Sequence, residues 1–303
     1  MKKRISFIIN PISGGINKES FPSFIENNID KNKFDVEILL TKSKDHNSEL
    51  AEYAVQQKSD VIVAVGGDGT INHVAKHVVG TTSAFGIIPM GSGNGLARHL
   101  GISSNHHKAI KVINELHALK IDTGKANDVF FINVAGAGFD AHVSNMFATA
   151  PKRGFSSYAK ITLTEFANYV PRDYEMRIDG RLITQKAFIV CVANGSQYGN
   201  NAFIAPQAVL TDGVFEISLL KPFHPLHIPF IGFDMFTKKF NNSRFVKTYK
   251  GKHIVIHRPK AEMVNIDGEP VMMEKDLDII ILPSSLNVIV PSDKYNKRIT
   301  QIN

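Results

Sequence analysis

The sequence lacks tryptophan and has a single cysteine among its 303 residues. One cysteine can form neither a disulfide nor a thiolate metal cluster within the chain. That residue, Cys191, lies in the apolar run AFIVCVANG. We therefore expect a small buried side chain, and a protein suited to a reducing cytosol.

Long hydrophobic runs, low-complexity tracts and internal repeats are also missing. The N-terminal stretch MKKRISFIINPISGG is superficially like a signal peptide, but its apolar run ends at Asn10-Pro11 and predicts a first strand instead. No stretch approaches the roughly 18 uninterrupted apolar residues of a membrane span. We expect a cytoplasmic protein that is soluble or bound peripherally at the inner membrane face.

Acidic residues are fewer than lysine and arginine, which gives the chain a formal net charge of +7 and a pI near 9.3. Such a balance favours anionic partners such as nucleotides and acidic lipid headgroups, although solubility alone explains it equally well. No Lys/Arg cluster is interleaved with aromatic residues, so no nucleic-acid partner is expected. The twelve histidines show no metal-binding spacing.

Short apolar runs alternate with helical periodicity through the first 120 residues. ISFIIN, FDVEILL, VIVAV and FGIIP read as buried strands, and SELAEYAVQQ reads as a helix between two of them. After VIVAV, apolar residues fall on one helical face until Gly80. This alternation predicts a parallel α/β sheet.

From about residue 125 the pattern changes to short strands separated by turns, with helical inserts near SSYAKITLTEFANYV and LHIPFIGFDMFTKKF. Asp179-Gly180 between alternating runs is a hairpin signal. We expect an antiparallel sandwich or barrel in this half. The predicted domains are 1–124 and 125–290, with residues 291–303 packing back on the first.

Three glycine-containing corners follow predicted strands of the first half, NPISGG at 10–15, GGDGT at 66–70 and GSGNG at 91–95. A loop that leaves a parallel strand and opens a helix presents backbone N–H groups and the positive end of the helix dipole. Strand ends of one parallel sheet converge on one edge. Together the three loops predict one polyanion site.

The loops match neither the Walker A pattern nor the G-x-G-x-x-G dinucleotide spacing. Asp68, inside the second loop, would repel a phosphate unless Mg²⁺ or another cation lay between them. The carboxylate therefore suggests metal-nucleotide binding or activation of a phosphate acceptor. Helix N-capping by Asp68 or Thr70 is the alternative, and the two roles are compatible.

The ordered set INPISGG, VGGDGTINHV, PMGSGNGLAR and NIDGEP resembles the diacylglycerol kinase catalytic-domain family, which includes bacterial lipid kinases and their sphingosine-kinase relatives. The resemblance extends over nearly the whole chain. It implies an α/β nucleotide domain of the NAD kinase and diacylglycerol kinase type, a β-rich second domain, and an ATP-dependent lipid kinase of phospholipid metabolism with its active site in the cleft between them.

Carried over position by position, the resemblance implies a set of ATP contacts at the strand ends: Asn10, Pro11, Ile12, Ser13, Gly14, Thr41, Gly66, Gly67, Asp68, Gly69, Thr70, Ile71, Asn72 and Ser92. Phosphoryl transfer needs a carboxylate that accepts the hydroxyl proton, and the NIDGEP turn would supply it. Asp267 and Glu269 are both candidates. In an extended segment they would face the same side, so the choice stays open, with Glu269 preferred.

The resemblance further implies a Mg²⁺ site in APQAVLTDGVFEI, held by the Asp212 side chain and the main-chain carbonyls of Val209 and Val214. Hard oxygen ligands suit this ion. GAGFDAHV is similar to the family's lipid-side loop, where Asp140 would meet the substrate headgroup.

One difference from the family pattern, in the third glycine loop, affects which lipid is expected as the substrate. Bacterial diacylglycerol kinases commonly read Gly-Thr-Gly-Asn-Asp in the third loop, whereas this chain has Ser92 and Gly95. The Ser and the missing acid are more similar to the sphingosine-kinase version. The expected acceptor is therefore a diacylglycerol-like or a long-chain-base lipid, and the second acid that a metal-water network would use is missing at Gly95.

A membrane surface is a further expected partner, since KPFHPLHIPFIGFDMF at 221–236 combines apolar residues with flanking lysines and PKRGFSSYAK at 151–160 is basic. A helix packed on its own sheet is the alternative for 221–236. A homodimer is left open. An NAD kinase, the alternative enzyme, shares the GGDGT turn, but its Gly/Thr/Ala-rich substrate loop is not found in the second half, and PMGSGNGLAR and NIDGEP favour the lipid kinase. A catalytically silent lipid- or nucleotide-binding regulator of this fold would be expected to lose its acids, but Asp68, Asp267 and Glu269 are all present.

Overall fold

A computed structural model describes residues 1–11, 20–43, 45–150, 155–166 and 168–295. The chain forms two compact units. Unit 1 consists of Met1–Ile121 and Ser284–Asn303, and unit 2 is Asp122–Pro283. The sequence prediction put the boundary three residues later, at 124, and began the returning segment at 291 instead of 284.

Unit 1 alternates strands with helices, as the sequence predicts. Its described elements are β1 (Lys3–Ile9), α1 (Phe21–Asn28), β2 (Phe34–Leu40), α2 (His46–Gln56), β3 (Val61–Gly66), α3 (Asp68–Val78), β4 (Ala84–Pro89), α4 (Gly95–His99) and α5 (His106–Glu115). β5 (Ala118–Ala126) begins in unit 1 and ends in unit 2.

The four strands that lie wholly within the described part of unit 1 pair in parallel in the order β2-β1-β3-β4. Every residue of β3 and of β4 is buried, because helices cover a parallel sheet on both faces. This explains why both strands read as unbroken apolar runs. α3 buries Ile71, Val74 and Ala75, the face that the periodicity predicts.

Unit 2 is built mainly from short strands. After β5 it contains β6 (Val129–Phe131), β7 (Val134–Gly138), α6 (Phe139–Ala148), α7 (Phe155–Phe166), β8 (Arg172–Ile178), β9 (Arg181–Ala187), β10 (Ile189–Ala193), β11 (Gln197–Gly199), β12 (Ala202–Phe203), β13 (Phe215–Leu220), α8 (Ile228–Phe236), β14 (Val246–Gly251), β15 (His253–His257), β16 (Glu262–Ile266), β17 (Glu269–Met273) and β18 (Asp276–Ile289), which ends in unit 1.

Two antiparallel layers form unit 2, which confirms the predicted β-rich architecture. One layer has the order β14-β13-β10-β7-β16-β17, and the other contains β9, β8, β15 and the first part of β18. Their inward side chains, among them Val190 and Phe215 from one layer and Met176 and Ile254 from the other, share one core. This alternation of inward and outward residues is typical of a sandwich.

Two segments differ from the strand predictions. DVFFINVAG is divided into β6 and β7, and the GFDAHV stretch that follows opens helix α6 rather than remaining a loop. Conversely, LDIIILP and LNVIVP form a single strand, β18, although Pro283 lies within it. Ser284 has a φ of 49°, so the strand departs from regular geometry there without ending.

The two helical inserts of unit 2 are confirmed as α7 and α8. A second apolar cluster includes Phe188, Phe240 and Ile231 of α8. Cys191 is fully buried in the same cluster, as its apolar run predicts. Within the described ranges no helix has the length and hydropathy needed to cross a membrane.

Candidate active site

The carboxyl ends of the parallel strands of unit 1 bring the predicted nucleotide residues together. β1 ends before Asn10, and β3 ends at Gly66. The Asn10 side-chain amide donates to the Thr70 hydroxyl at 3.1 Å, and the Asn10 N–H donates to the Val65 carbonyl. The first strand end and the first turn of α3 are therefore in direct contact.

Asp68 joins the second glycine loop to the third. One carboxylate oxygen accepts the backbone N–H of Asn94, and the other accepts the backbone N–H of Gly95, both at 2.8 Å. Gly95 is the first residue of α4. An ionised carboxylate at a helix N-terminus is stabilised by the N–H groups and by the helix dipole. The acid within the glycine loop thus caps the helix of the neighbouring loop, not its own.

The third loop is shaped by Asn94 and by a close backbone approach. Asn94 is buried and left-handed, with a φ of 51°. Its side chain accepts from the Gly91 N–H at 3.0 Å and donates to the Gly91 carbonyl at 2.6 Å. A Cβ built on Gly91 would lie 2.8 Å from the Gly67 Cα. Only glycine permits this approach of the two loops.

The other predicted nucleotide residues divide by exposure. The side chains of Thr41, Thr70 and Ile71 are buried, which leaves their main-chain groups as the available contacts, whereas Ser92 is exposed. Four more predicted nucleotide contacts lie in or just after the second loop and are partly or fully buried: Gly66, Gly67, Gly69 and Asn72. Pro11 follows β1, and Ile12, Ser13 and Gly14 lie outside the described residues.

The NIDGEP segment of unit 2 is a tight hairpin, and this corrects the argument that Asp267 and Glu269 share a face. β16 ends at Ile266 and β17 begins at Glu269, with Ile266 and Glu269 paired across the ladder. Asp267 and Gly268 form the turn with φ values of 50° and 92°. The alternation of an extended strand does not pass through a two-residue turn with positive φ.

Asp267 is engaged by backbone donors. One carboxylate oxygen accepts the N–H groups of Asn133 and Val134, and the other accepts the N–H of Ile132, all at 2.8 Å. The Asp267 N–H in turn donates to the Val134 carbonyl. Asp267 therefore fixes the hairpin to the segment that leads into β7.

Glu269 is the partly buried first residue of β17, directly after the turn that Asp267 holds. Gly268, between them, donates its N–H to the Asn265 side chain and accepts from the Ser144 hydroxyl of α6 at 3.0 Å. The turn is thus braced from both sides. Glu269 therefore follows a turn whose backbone is held by hydrogen bonds with β16 and α6.

Asp140 lies in a buried polar cluster at the start of α6, only 3% exposed. Its carboxylate accepts the Tyr198 hydroxyl at 3.0 Å and the Ala141 N–H at 2.8 Å, and Asn265 lies at 3.5 Å. Burial raises the pKa of Asp140 to about 7, and these hydrogen bonds oppose the rise only in part. In this conformation Asp140 meets protein groups rather than solvent.

The predicted Mg²⁺ loop is ordered by neighbouring side chains of unit 2. The Asp212 carboxylate accepts the Val214 N–H at 3.3 Å and lies 3.3 Å from Lys250 Nζ, while the Val209 carbonyl accepts the Asp212 N–H. One carboxylate and two carbonyls fit the hard ligands that Mg²⁺ prefers. Lys250 is a competing cation for the same carboxylate. Among the described residues no cluster of three His, Cys, Asp or Glu side chains has metal-site geometry.

Sequence reasoning missed the residues that hold the loops. Buried Asp122 accepts the Gly213 N–H at 2.8 Å and so orders the loop of Asp212. Asn194 donates to the carbonyls of Asp122 and Ile132 at 2.7 and 2.6 Å. The Asn-Gly pairs at 94–95 and 194–195 are the signal that could have found Asn94 and Asn194, because Asn before Gly is typical of specialised turns, whereas no local signal marks Asp122.

Two family models match the chain along almost its whole length. The "Diacylglycerol kinase catalytic domain" matches residues 4–126, and the "YegS C-terminal NAD kinase beta sandwich-like domain" matches residues 133–290. The protein belongs to the diacylglycerol kinase catalytic-domain family. The resemblance inferred from the glycine loops and NIDGEP is confirmed, and the family makes the protein a kinase.

Curated relatives carry lipid-kinase names. A "Probable lipid kinase YegS-like" of Chromohalobacter salexigens is 28% identical over 248 residues, which cover 80% of this chain and 79% of that protein. A "Probable lipid kinase YegS" of Salmonella arizonae is 27% identical over 265 residues, covering 85% and 87%.

Solved structures share the fold. A diacylglycerol kinase structure from Bacillus anthracis superposes with a TM-score of 0.75 at 22% identity and covers 96% of this chain and 98% of that one. An NAD kinase from Archaeoglobus fulgidus in complex with ATP gives a TM-score of 0.52 at 14% identity, covering 99% and 98%. These similarities confirm the two-domain fold class of the sequence prediction.

Proposed function

We propose that the protein transfers the γ-phosphate of ATP to a hydroxyl group of a lipid, either diacylglycerol-like or a long-chain base. The observation that carries the proposal is the pair of glycine loops held together by Asp68 at the carboxyl edge of the parallel sheet. Backbone N–H groups at such an edge suit a polyphosphate. The lipid-kinase names of the relatives support the acceptor class.

In this proposal the loops of unit 1 position the donor. Phosphoryl transfer is catalysed mainly by positioning and by stabilisation of the charge on the transferred group. The close approach of Gly67 and Gly91 keeps side chains away from the phosphates. Asp68 acts chiefly through the loop backbone that it holds, since both of its oxygens accept N–H groups there.

Glu269 is the proposed general base, and Asp267 is the residue that positions it. A base must accept the proton of the attacking hydroxyl at about 3 Å. The Asp267 oxygens already accept three backbone N–H groups, so accepting a proton would break the support of the turn. Glu269 lies two positions after Asp267 and is the first residue of β17, at the end of the turn that Asp267 fixes.

Mg²⁺ is the proposed metal. When bound with ATP, it neutralises charge on the phosphates. A second ion would be held by Asp212 with the carbonyls of Val209 and Val214, where its role is to order the loop before β13. We place the reaction in the cytoplasm, at the inner face of the membrane that supplies the lipid.

Incubation of the purified protein with ATP, Mg²⁺ and a lipid panel in mixed micelles tests the proposal. The panel contains diacylglycerol, monoacylglycerol, a long-chain base and ceramide, and the products are identified by mass. Phosphorylation of one lipid class by the wild type, with loss of product in Glu269→Gln, is the expected result. No product across the panel and across a cell lipid extract would count decisively against a lipid substrate.

NAD⁺ belongs in the same experiment because the NAD kinase of Archaeoglobus fulgidus shares the fold. NADP⁺ formation is read at 340 nm through a coupled dehydrogenase. We expect none, because the Asn-Glu pair that follows GGDGT here, Asn114-Glu115, lies at the end of α5, where the Asn114 side chain is hydrogen-bonded to the backbone of Asn28 and Asp30. Turnover of NAD⁺ that exceeds turnover of every lipid would reassign the acceptor. Turnover of neither would favour a silent regulator.

A further inference from the structure

Helix α8 of unit 2 is apolar on two opposite faces. Its sequence is IPFIGFDMF, with one charged residue. One face carries Ile231 and Met235, which pack on the second apolar cluster. A helix that is hydrophobic all round is normally covered on every side.

The second face is not covered by unit 2. Phe230, Phe233 and Phe236 are 68%, 62% and 48% exposed, and Leu226, in the short 3₁₀ helix just before α8, is 75% exposed. The three phenylalanines are spaced three residues apart and so span about 120° of the helix. Together these four side chains form one apolar stripe, named here the phenylalanine stripe. Such a contiguous exposed patch marks an interaction surface.

Positive charge surrounds the phenylalanine stripe. The segment 221–247 has five basic residues and one acid, Asp234. At one end of α8, the exposed Arg244 guanidinium lies 3.4 Å from the His227 ring nitrogen. At the other end, Lys238 and Lys239 follow the helix directly and are exposed. Aromatic residues between cations are the composition of an interfacial segment.

Charge complementarity decides which partner covers the stripe. A second copy docked by two-fold symmetry would bring two sets of like charges together, which is unfavourable. An anionic lipid surface offers both an apolar layer for the rings and negative headgroups for Lys238, Lys239 and Arg244.

We propose that α8 docks the protein on anionic phospholipid bilayers by inserting the phenylalanine stripe between the headgroups. This deepens the proposed function, on which it rests for the choice of a lipid substrate. Docking of this kind places the protein where a lipid acceptor is dissolved. The basic segment 151–160, the other expected membrane contact, lies partly outside the described residues and is not needed for the argument.

Vesicle cosedimentation tests the docking without ATP or turnover. The full-length protein is mixed with phosphatidylcholine vesicles containing either 30% phosphatidylglycerol or none. We expect binding to the anionic vesicles that weakens with salt, and at least a tenfold loss in the Phe230→Gln/Phe233→Gln variant. Lys239→Ala should lose about fivefold, since a lysine near an anionic surface contributes about 1 kcal/mol.

Matched controls come from β9 of the same unit. Leu182 is 51% exposed and Lys186 is exposed, so Leu182→Gln replaces an exposed apolar residue and Lys186→Ala an exposed lysine away from α8. Both should bind vesicles like the wild type. Circular dichroism and melting temperature establish that each variant is folded. Equal losses in the controls, or wild-type binding by the double variant, would overturn the proposal.

The absence of native tryptophan allows a direct measurement of insertion. Phe233→Trp introduces a single reporter on the stripe, and Leu182→Trp introduces one off it. The first should shift its emission to the blue and be quenched by brominated lipids, and the second should do neither. Vesicle binding with no blue shift at position 233 would show that another surface docks, and would contradict the inference.

Two further readouts separate the other outcomes. Size-exclusion chromatography with light scattering detects a dimer, and a dimer broken by the double variant with unchanged vesicle binding would assign the stripe to a second copy. Turnover of a water-soluble short-chain diacylglycerol should be equal in the wild type and the double variant. If the wild type turns over no lipid yet docks as described, the proposed function fails and the docking inference stands.

Discussion

The Asp68 carboxylate accepts the backbone N–H of Gly95 at 2.8 Å, so the acid of GGDGT caps the helix of the next glycine loop. Its second oxygen takes the N–H of Asn94 at the same distance. A carboxylate among glycines is thereby explained without a ligand. It holds the backbones of two glycine loops in one arrangement, together with the Asn94 side chain and the close approach of Gly67 and Gly91.

Asp68→Ala removes both acceptors. Hydrogen bonds to a charged group contribute about 1.5–3 kcal/mol each, and partial exposure reduces this, so we expect a loss of roughly 3 kcal/mol in the free energy of unfolding. Asp68→Asn keeps one acceptor oxygen and should lose about half as much. Urea denaturation measures both, and isothermal titration with an ATP analogue should show weaker binding in the same order. Unchanged stability in Asp68→Ala would refute the bridging role.

Substitutions of the two acids of NIDGEP should differ in effect: one should lower stability and the other should lower turnover. Asp267→Asn weakens an acceptor of three backbone N–H groups and should lower the free energy of unfolding by about 2 kcal/mol. Glu269→Gln should leave stability within about 0.5 kcal/mol of the wild type and lower kcat by about 10²-fold or more. Urea melts and steady-state kinetics on both variants decide. The reverse pattern would make Asp267 the base.

Strand and helix positions of unit 1 could be predicted because β3 and β4 are buried on both faces and α3 on one. In each case the environment along the element is uniform, so the pattern of apolar residues records it. The division of DVFFINVAG and the continuity of β18 through Pro283 could not be predicted. Both depend on pairing with strands distant in sequence, which local patterns do not contain.

The sequence predicts which residues lie at the candidate site, but it does not predict the contacts that some of them make. Three glycine loops after three strands predict a polyanion site at one edge of the sheet, since parallel strands share a direction. That Asp68 caps α4, and that Asp267 accepts N–H groups from residues 132–134, are long-range backbone contacts. No spacing in the sequence encodes them. The positive φ of Asp267 similarly removed the basis for placing Asp267 and Glu269 on one face.

The buried Asp140 predicts a pH dependence of stability. Burial raises its pKa to about 7, from the 3.8 that is usual for an exposed aspartate. Between those pH values the unfolded chain has lost the proton that the folded protein keeps, so the free energy of unfolding falls as pH rises from 4 to 7, by on the order of 4 kcal/mol. Asp140→Asn should flatten this slope.

Urea denaturation at a series of pH values measures the effect. Asp173→Asn, which changes an exposed acid of β8, is the control and should retain the wild-type slope. If Asp140→Asn retained that slope as well, Asp140 would be ionised throughout the range and the buried cluster would have to be open to water.

The proposed Mg²⁺ loop lies beside Lys250, and we expect this lysine to weaken Mg²⁺ binding at Asp212. Lys250 Nζ lies 3.3 Å from the Asp212 carboxylate and would compete with a metal ion bound there. Mg²⁺ should raise the melting temperature of the wild type, not that of Asp212→Asn, and should act at lower concentration on Lys250→Met. Differential scanning fluorimetry with Mg²⁺ or EDTA and no nucleotide measures this. An equal shift in Asp212→Asn would place the ion elsewhere.

Transfer of labelled γ-phosphate from ATP to a cell lipid extract tests the central claim most directly, with the product identified by mass. The account predicts one phosphorylated lipid class with the wild type and a product rate about 10²-fold lower with Glu269→Gln, which remains folded. Labelled lipid formed equally by both proteins would contradict the assignment of Glu269. No labelled lipid from the wild type would contradict the lipid kinase itself.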